Sequence, residues 1–318
     1  MYLAFKGIDF EKLLNELKKT NYFYAIGGTL IGVVIGSYFR ALRWRYLLDP
    51  LKENIRVRNL FSAIMVGYLA NAVIPRSGEV ARPLLLAQKE SISRAASFGT
   101  IIAERMIDVL TMLIMFGFCL FLYREKISEA FGEYDLVSIA LYASIAILVI
   151  VLIMIIMILN LEKTDMIIGK LTKKFLPKKF HEKIHNIFIS LINGFLFIKY
   201  PKEYLKIFVL SVLIWVSYVT SAYVTMFAFK IDLSFLDANL VQTMMAFAMM
   251  IPLPGNSAGS FHFFGKTVLV SVFGINPELA IGYVSVLHLL GLIALILIGF
   301  YYSMKENVKF SQLKNKNS

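Results

Sequence analysis

Long apolar stretches separated by short charged segments dominate the sequence. A helix needs about 20 mostly apolar residues to cross the hydrocarbon core of a bilayer, so stretches of that length predict membrane spans. Five stretches are long enough: Tyr22–Phe39, Ser97–Tyr123, Leu136–Leu161, Ile207–Phe229 and Leu279–Met304. The pattern therefore predicts an all-α polytopic membrane protein with about five full spans.

Two further apolar stretches are interrupted by proline and glycine. The first, Leu60–Ile74, ends in the sequence Ile-Pro-Arg-Ser-Gly at Pro75. The second, Ala238–Ile251, ends in Ile-Pro-Leu-Pro-Gly at Pro252 and resumes at Ser260–Gly274. Proline and glycine end helices, and each interrupted helix is too short to cross a bilayer. We therefore predict two broken, re-entrant helical hairpins.

The two interruptions occupy corresponding places in the chain. A long span precedes each of them, and a short segment and another long span follow. Paired interruptions of this kind are typical of inverted-repeat transporters, whose binding site lies near the bilayer midplane where the breaks meet. The single integral membrane domain, 1–318, then divides into a first half (1–160), a basic cytoplasmic loop (161–204) and a second half (205–318).

Charge gives the predicted orientation. The chain has 33 Lys and Arg against 21 Asp and Glu, and its formal net charge is +12. Basic residues follow the first span, beginning with Arg40 and Arg43, and recur in segment 161–204 and at the carboxyl end. These regions are predicted on the cytoplasmic side of the cell (plasma) membrane, with the amino terminus outside. The distribution favours contact with anionic lipid headgroups at the cytoplasmic face, not with nucleic acid.

Two of the charged segments have apolar residues at helical spacing. Asp9–Lys19 predicts an interfacial amphipathic helix, and the lysine-rich stretch Lys170–Phe195 has a similar pattern.

Charged side chains follow the first interruption and recur inside the next span. Glu79 and Arg82 come first; Glu104, Arg105 and Asp108 then share one broad face of a helix. Each charge at mid-bilayer costs roughly 2.5–3.5 kcal/mol, so these residues must pair or face water. Two compatible interpretations follow. The charges form a structural network of salt bridges, or they line a polar cavity for a lipid headgroup or an ion.

These residues carry a resemblance to a known family. An Asn…Pro-x-x-Gly-Glu-x-x-Arg stretch followed by a Glu-Arg-x-x-Asp helix resembles the membrane domain of lysylphosphatidylglycerol synthases/flippases and their stand-alone relatives. The matching positions are Asn71, Pro75, Gly78, Glu79, Arg82, Glu104, Arg105 and Asp108. The stretch Arg40–Leu48 resembles the family's basic patch. The resemblance implies a polytopic domain that moves, or helps to move, an anionic or aminoacylated lipid between leaflets.

The second interruption departs from the family's pattern. Relatives carry a glutamate shortly after the second break and an arginine in the last helix. Here Phe261 or His262 stands near the expected glutamate and His288 near the expected arginine. If those charges handle the substrate, this protein carries a different substrate, or none. The full candidate substrate-binding set is Asn71, Pro75, Arg76, Gly78, Glu79, Arg82, Glu104, Arg105, Asp108, Pro252, Pro254, Gly255, Asn256, His262 and His288.

The favoured function is a non-enzymatic, flippase-like movement of a phospholipid or lipid-linked precursor. A non-transporting scaffold for a lipid-biosynthetic enzyme is one alternative. An intramembrane serine hydrolase is another, because Gly255–Gly259 spells G-x-S-x-G, although the strand–turn–helix context of that motif is missing. No P-loop, HExxH motif or Cys/His cluster occurs, so we predict no cofactor and no metal site. Expected partners are membrane lipids and either a second copy of the chain or a lipid-modifying enzyme.

Overall fold

The computed structural model describes residues 2–131, 136–175, 178–251 and 253–306, and in these residues every regular element is helical. The helices are α1 (Tyr2–Phe5), α2 (Phe10–Lys19), α3 (Tyr22–Leu30), α4 (Gly36–Leu48), α5 (Val57–Val73), α6 (Gly78–Glu90), α7 (Arg94–Phe131), α8 (Leu136–Leu159), α9 (Leu161–Phe175), α10 (Lys178–Asn193), α11 (Tyr204–Ala228), α12 (Phe235–Met249), α13 (Pro254–Thr267) and α14 (Pro277–Lys305). The all-α prediction is confirmed.

Four helical segments in the described part of the chain are long and apolar enough to cross a membrane: Tyr22–Leu48, Arg94–Glu129, Pro201–Ala228 and Pro277–Lys305. Each contains most or all of one predicted span. The fifth predicted span forms α8, a helix of 24 residues without a charged side chain. The polytopic helical class predicted from the apolar pattern is thus confirmed.

The first span is longer than predicted. α3 continues through a π-helical turn, Ile31–Ile35, into α4, so the helix ends at Leu48 and not at Phe39. The interpretation of Arg40 and Arg43 as loop charges is therefore wrong. Both side chains are buried and meet carboxylates of α7, which compensate their charge inside the helix bundle.

The first interrupted stretch folds as a hairpin of two short helices. α5 ends at Val73, α6 begins at Gly78, and the two helices pack along each other. The Asn71 Oδ1 accepts a hydrogen bond of 2.7 Å from the Gly78 backbone N–H. The Ser77 hydroxyl donates to the Ala70 carbonyl at 2.8 Å. The turn thereby satisfies backbone groups that the proline break releases from the helix.

The second interrupted stretch folds in the same way. α12 packs along α13, which begins at Pro254 and continues into a π-helical turn at Val268–Val272. We predicted that the second arm of this hairpin begins at Ser260, but it begins six residues earlier, at Pro254. Proline suits the first turn of a helix because its missing N–H would have no partner there.

Each half repeats the order of long helix, hairpin and long helix. The long helices α3–α4 and α11 pack against each other across the two halves. The first hairpin packs on α7 of its own half and on α14 of the other half. The second hairpin packs on α14 of its own half and on α7 of the other half. Each hairpin is consequently held between a long helix of its own half and a long helix of the other half.

Segment 161–204, which we predicted as a loop, is mostly helical. α9 and α10 pack against each other, and α10 packs along α7. Ile192 and Phe195 are buried in one cluster with Ala103 and Ile158. The apolar residues spaced along Lys170–Phe195 supply this contact face, so the segment folds onto the bundle.

The amino-terminal segment forms the predicted amphipathic helix. Asp9 caps α2 by accepting the backbone N–H groups of Glu11 and Lys12. Leu13 of this helix is buried together with Ile281, so α2 packs on the start of α14.

Gly78 permits close contact between the two arms of the first hairpin. A Cβ atom at this position would lie 2.0 Å from the Gly67 carbonyl oxygen. We expect Gly78→Ala to lower the free energy of unfolding by about 1–3 kcal/mol, because the hairpin must spread. Gly117→Ala is the matched control, since its added methyl would meet nothing within 4 Å. Thermal denaturation in detergent measures both variants, and equal melting temperatures would contradict this packing.

The end of α14 is tied to the first hairpin by Glu306. Its Oε1 accepts hydrogen bonds from Lys89 Nζ at 2.7 Å and from Ser62 Oγ at 2.9 Å. Burial raises the pKa of the Glu306 carboxyl, but these hydrogen bonds outweigh burial and hold the pKa below its ordinary value of 4.5.

The lowered pKa of Glu306 predicts a pH dependence of stability. The carboxylate stabilises the fold fully above pH 4.5, its unfolded value, and this stabilisation is lost as pH falls through the lower folded pKa. We expect Glu306→Gln to melt at a lower temperature than the wild type at pH 7, and the gap to close in acid. The exposed Glu11→Gln serves as control. A gap of constant size down to pH 3 would exclude this contribution.

Candidate functional site

Glu104 on α7 is the centre of a buried ion cluster, with a side chain that is 0% exposed. Its Oε1 accepts hydrogen bonds from Arg40 at 2.6 Å and from Arg82 at 3.0 Å. Its Oε2 accepts a second hydrogen bond from Arg82 at 2.6 Å. Arg82 thus forms a bidentate ion pair with the carboxylate of Glu104, which is the strongest arrangement for such a pair.

Asp108 lies one turn further along α7 and extends the cluster. Arg43 donates a hydrogen bond to its Oδ1, and an Arg40 nitrogen lies 3.1 Å from its Oδ2. Arg43 also donates to the Ser211 hydroxyl of α11 at 3.0 Å. Arg105 contacts both carboxylates, at 3.2 Å from Glu104 and 3.4 Å from Asp108. The cluster therefore joins α4, α6, α7 and α11.

Trp44 completes the environment of Arg82. The guanidinium carbon lies 3.8 Å from the centre of the indole ring, where the ring face attracts a cation. The indole N–H donates to the Thr100 hydroxyl at 2.9 Å, which fixes the ring. Arg82 is consequently held between an aromatic face and Glu104, and its role here is to anchor α6 on α7.

A cavity of about 520 Å³ lies beside this cluster. Residues of both interruptions line it: Asn71, Pro75, Arg76 and Glu79 from the first, and Met250, Leu253, Asn256 and Ser257 from the second. Further polar groups are Tyr68 and Gln242 of the hairpin helices and Tyr218 of α11, and the long helices α11 and α14 add apolar ones, including Ile214, Leu292 and Leu295. The cavity is thus an amphipathic space between the two halves of the chain.

Arg76 connects the two breaks directly. Its guanidinium donates a hydrogen bond to the Met250 carbonyl oxygen at the end of α12. Its backbone φ is +62°, the left-handed region that a non-glycine residue rarely adopts. Such strain is typical of residues that the surrounding structure holds for a purpose.

The structure brings together most of the predicted site residues. The cavity is lined by Asn71, Pro75, Arg76, Glu79, Arg105, Asp108 and Asn256. Arg82 and Glu104 lie in the cluster behind the lining, and Gly78 packs on Gly67. Pro252 lies outside the described residues, and the structure describes only the helical backbone at Pro254 and Gly255.

His262 and His288 lie next to each other and are not among the cavity-lining residues. Their ring centres are 5.2 Å apart. His262 Nδ1 donates to the Ala258 carbonyl and His288 Nε2 to the Asn256 carbonyl, at 2.5 and 3.2 Å. The histidines therefore brace the backbone of the second break, where relatives are expected to carry charges.

The geometry around Ser257 does not support the hydrolase alternative. Its hydroxyl donates to the Ile251 carbonyl at 2.6 Å, and both neighbouring histidines bond to backbone carbonyls. A nucleophilic serine needs a hydrogen bond to its base, and no such bond occurs among the described residues. In that same part of the chain, no group of three or more His, Cys, Asp or Glu could hold a metal ion.

Two site residues, Arg40 and Arg43, were absent from the predicted set. Their spacing of three places both on one face of a helix that begins in an apolar span, which was the available signal. The positive-inside rule assigned the same residues to a cytoplasmic loop, so their helical spacing was not used.

Glu104 compensates several buried arginines, so its removal should be costly. Breaking a buried ion pair by removing one partner destabilises proteins by about 3–5 kcal/mol, and we expect Glu104→Gln to fall in this range. Glu11→Gln is the control, because Glu11 is exposed in the first turn of α2 and its substitution should change little. Denaturant titration of both variants tests the expectation. A fully stable Glu104→Gln protein would show that the cluster is not a structural anchor.

Comparison with known proteins places the chain among membrane proteins. It is 28% identical over 152 residues to a UPF0104 membrane protein of Methanocaldococcus jannaschii, which covers 46% of this chain and 44% of that protein. The chain therefore aligns with less than half of that relative's length. It is 24% identical over 281 residues to a UPF0104 membrane protein of Methanothermobacter thermautotrophicus, covering 84% of this chain and 80% of that protein. No solved structure matches the chain.

The family comparison covers nearly the whole fold described above. Residues 1–299 match the family described as lysylphosphatidylglycerol synthase TM region. The match includes both hairpins, the ion cluster and all the lining residues of the cavity. The chain belongs to this family of lysylphosphatidylglycerol synthase membrane regions.

Proposed function

We propose that this protein moves a phospholipid, or a lipid-linked precursor, between the two leaflets of the cell membrane. The observation that carries the proposal is the cavity, because both helix breaks and the arginine cluster border the same space. Broken helices that meet at one site are a recurrent feature of membrane transporters.

The lining of the cavity suits one end of a lipid. Arg43, Arg105 and Asn71 supply polar contacts for a headgroup, while Ile214, Leu292 and Leu295 supply apolar walls. A volume of about 520 Å³ lies within the range of small-molecule sites, so it suits a headgroup better than a whole lipid. In this proposal the headgroup enters the cavity and its chains stay in the bilayer, which lowers the cost of moving charge across it.

The proposal extends to orientation and partners. We place segment 161–204 and the carboxyl end on the cytoplasmic side and the amino terminus outside, as the lysines and arginines suggest. The partners are membrane lipids with anionic headgroups, and the protein acts without a chemical step on them. The family description supports a lipid context, and the two relatives are named only as membrane proteins. The alternative function is a non-transporting scaffold for a lipid-biosynthetic enzyme. Transport measurements that detect no lipid movement would favour it.

Reconstitution in liposomes tests transport. We expect a fluorescent anionic lipid to equilibrate between leaflets faster than in empty vesicles, under a proton or a sodium gradient. The double variant Glu79→Gln with Arg105→Gln should lose roughly tenfold or more of this rate, because both residues line the cavity. The double variant Glu53→Gln with Arg56→Gln is the matched control, because it removes the same two charges at exposed positions outside the lining.

Two results would overturn the proposal. Equilibration no faster than in empty vesicles under either gradient would remove the transport function. Wild-type transport by the double variant would remove the cavity as its site. A serine-reactive phosphonate separates the hydrolase alternative, since under our proposal it should not label Ser257 of the wild type.

A further inference from the structure

The ion cluster carries more positive than negative charge. Four guanidinium groups and two carboxylates are in mutual contact: Arg40, Arg43, Arg82, Arg105, Glu104 and Asp108. Arginine is always charged in proteins, and each carboxylate contacts several arginines, which favours its ionised form. The cluster thus retains two uncompensated positive charges.

The remaining charged groups of the cavity leave this excess unchanged. Arg76 and Glu79 also line the cavity, and their charges cancel. The other titratable groups in the lining are Tyr68 and Tyr218, which are neutral when protonated. The side chains of Arg40, Arg43 and Arg82 are at most 7% exposed, whereas Arg105 is 41% exposed. Uncompensated charge on buried groups is expensive, so the cluster favours an anion in the cavity.

Arginines of the cluster also retain unpaired hydrogen-bond donors. The Nε atoms of Arg40, Arg43 and Arg105 are buried and have no acceptor among the described residues. Arg43 lines the cavity although its side chain is only 1% exposed. A planar guanidinium with free N–H groups matches the geometry of a phosphate. Both the charge and the donors point to a phosphate-bearing ligand.

We infer that the cavity binds a phosphate group with two negative charges, as in a phosphomonoester or diphosphate headgroup. Such a group neutralises the excess of the cluster, whereas a phosphodiester carries one charge and leaves half of the excess. The inference rests on the proposed function where it takes a lipid as the source of the phosphate; the charge argument applies equally to free phosphate.

Binding to the purified full chain in detergent tests the inference. The probes are phosphatidic acid, phosphatidylglycerol with the same acyl chains, and inorganic phosphate. At pH 8 we expect phosphatidic acid to bind about tenfold or more tightly than phosphatidylglycerol. At pH 5 the preference should vanish, because the second ionisation of a phosphomonoester has a pKa of about 6. Phosphatidylglycerol, which does not titrate in this range, controls for titration of the protein.

Substitutions at Arg43 connect the preference to the cluster. Arg43→Gln should reduce the preference for phosphatidic acid by about tenfold, and Arg43→Lys, which keeps the charge, should retain more of it. Arg56→Gln should leave it unchanged. If Arg43→Gln does not fold, as judged by its melting temperature, the comparison of Arg43→Lys with wild type decides the matter: undiminished preference contradicts a role for the guanidinium.

The outcomes separate this inference from the transport proposal. Tight binding of inorganic phosphate alone supports the inference with free phosphate as the ligand, and binding of phosphatidic acid without it supports a lipid headgroup. Equal affinity for the two lipids at pH 8 overturns the inference, even if lipids cross the bilayer in vesicles. A preference for phosphatidic acid without any lipid movement supports the inference and overturns transport.

Discussion

The contact of one buried carboxylate with arginines from three helices holds the interior of this protein together. Glu104 meets Arg40 of α4, Arg82 of α6 and its neighbour Arg105. A charge in this position is tolerated only when it is paired and hydrogen-bonded. The first hairpin must therefore lie against α7 and the first span must continue past Phe39, and the cavity forms where these elements leave space.

The two halves share an architecture but use different chemistry at their breaks. The first break carries Glu79 and is fixed to a cluster of ion pairs. The second is fixed by His262 and His288, which bond to its own backbone carbonyls. The charges that would contact a headgroup consequently come from one half, while the other half supplies neutral polar groups such as Asn256. A substrate would meet an electrically asymmetric site.

Much of the fold and part of the site were predictable from local pattern. Pro75 and the apolar stretch before it predicted the first hairpin, and the spacing of Glu104 and Asp108 predicted their shared face. The location of Arg40 and Arg43 could not be predicted from the sequence. The positive-inside rule places them in a cytoplasmic loop, whereas pairing with carboxylates places them inside the bundle, and only the position of α7 decides between the two. The start of α13 was misplaced because a proline can either break a helix or begin one. The bracing role of the histidines depends on tertiary contacts that no spacing reveals.

The meeting of the two breaks in one cavity is the central claim, and chemical cross-linking tests it most directly. Cys119 is the only cysteine, so a Cys119→Ala background carrying Arg76→Cys and Met250→Cys offers two unique thiols. Treatment with a short bis-maleimide, followed by digestion and mass spectrometry, should yield a linked peptide pair within single chains in membranes. Complete labelling of both cysteines without any linked pair would show that the breaks lie apart.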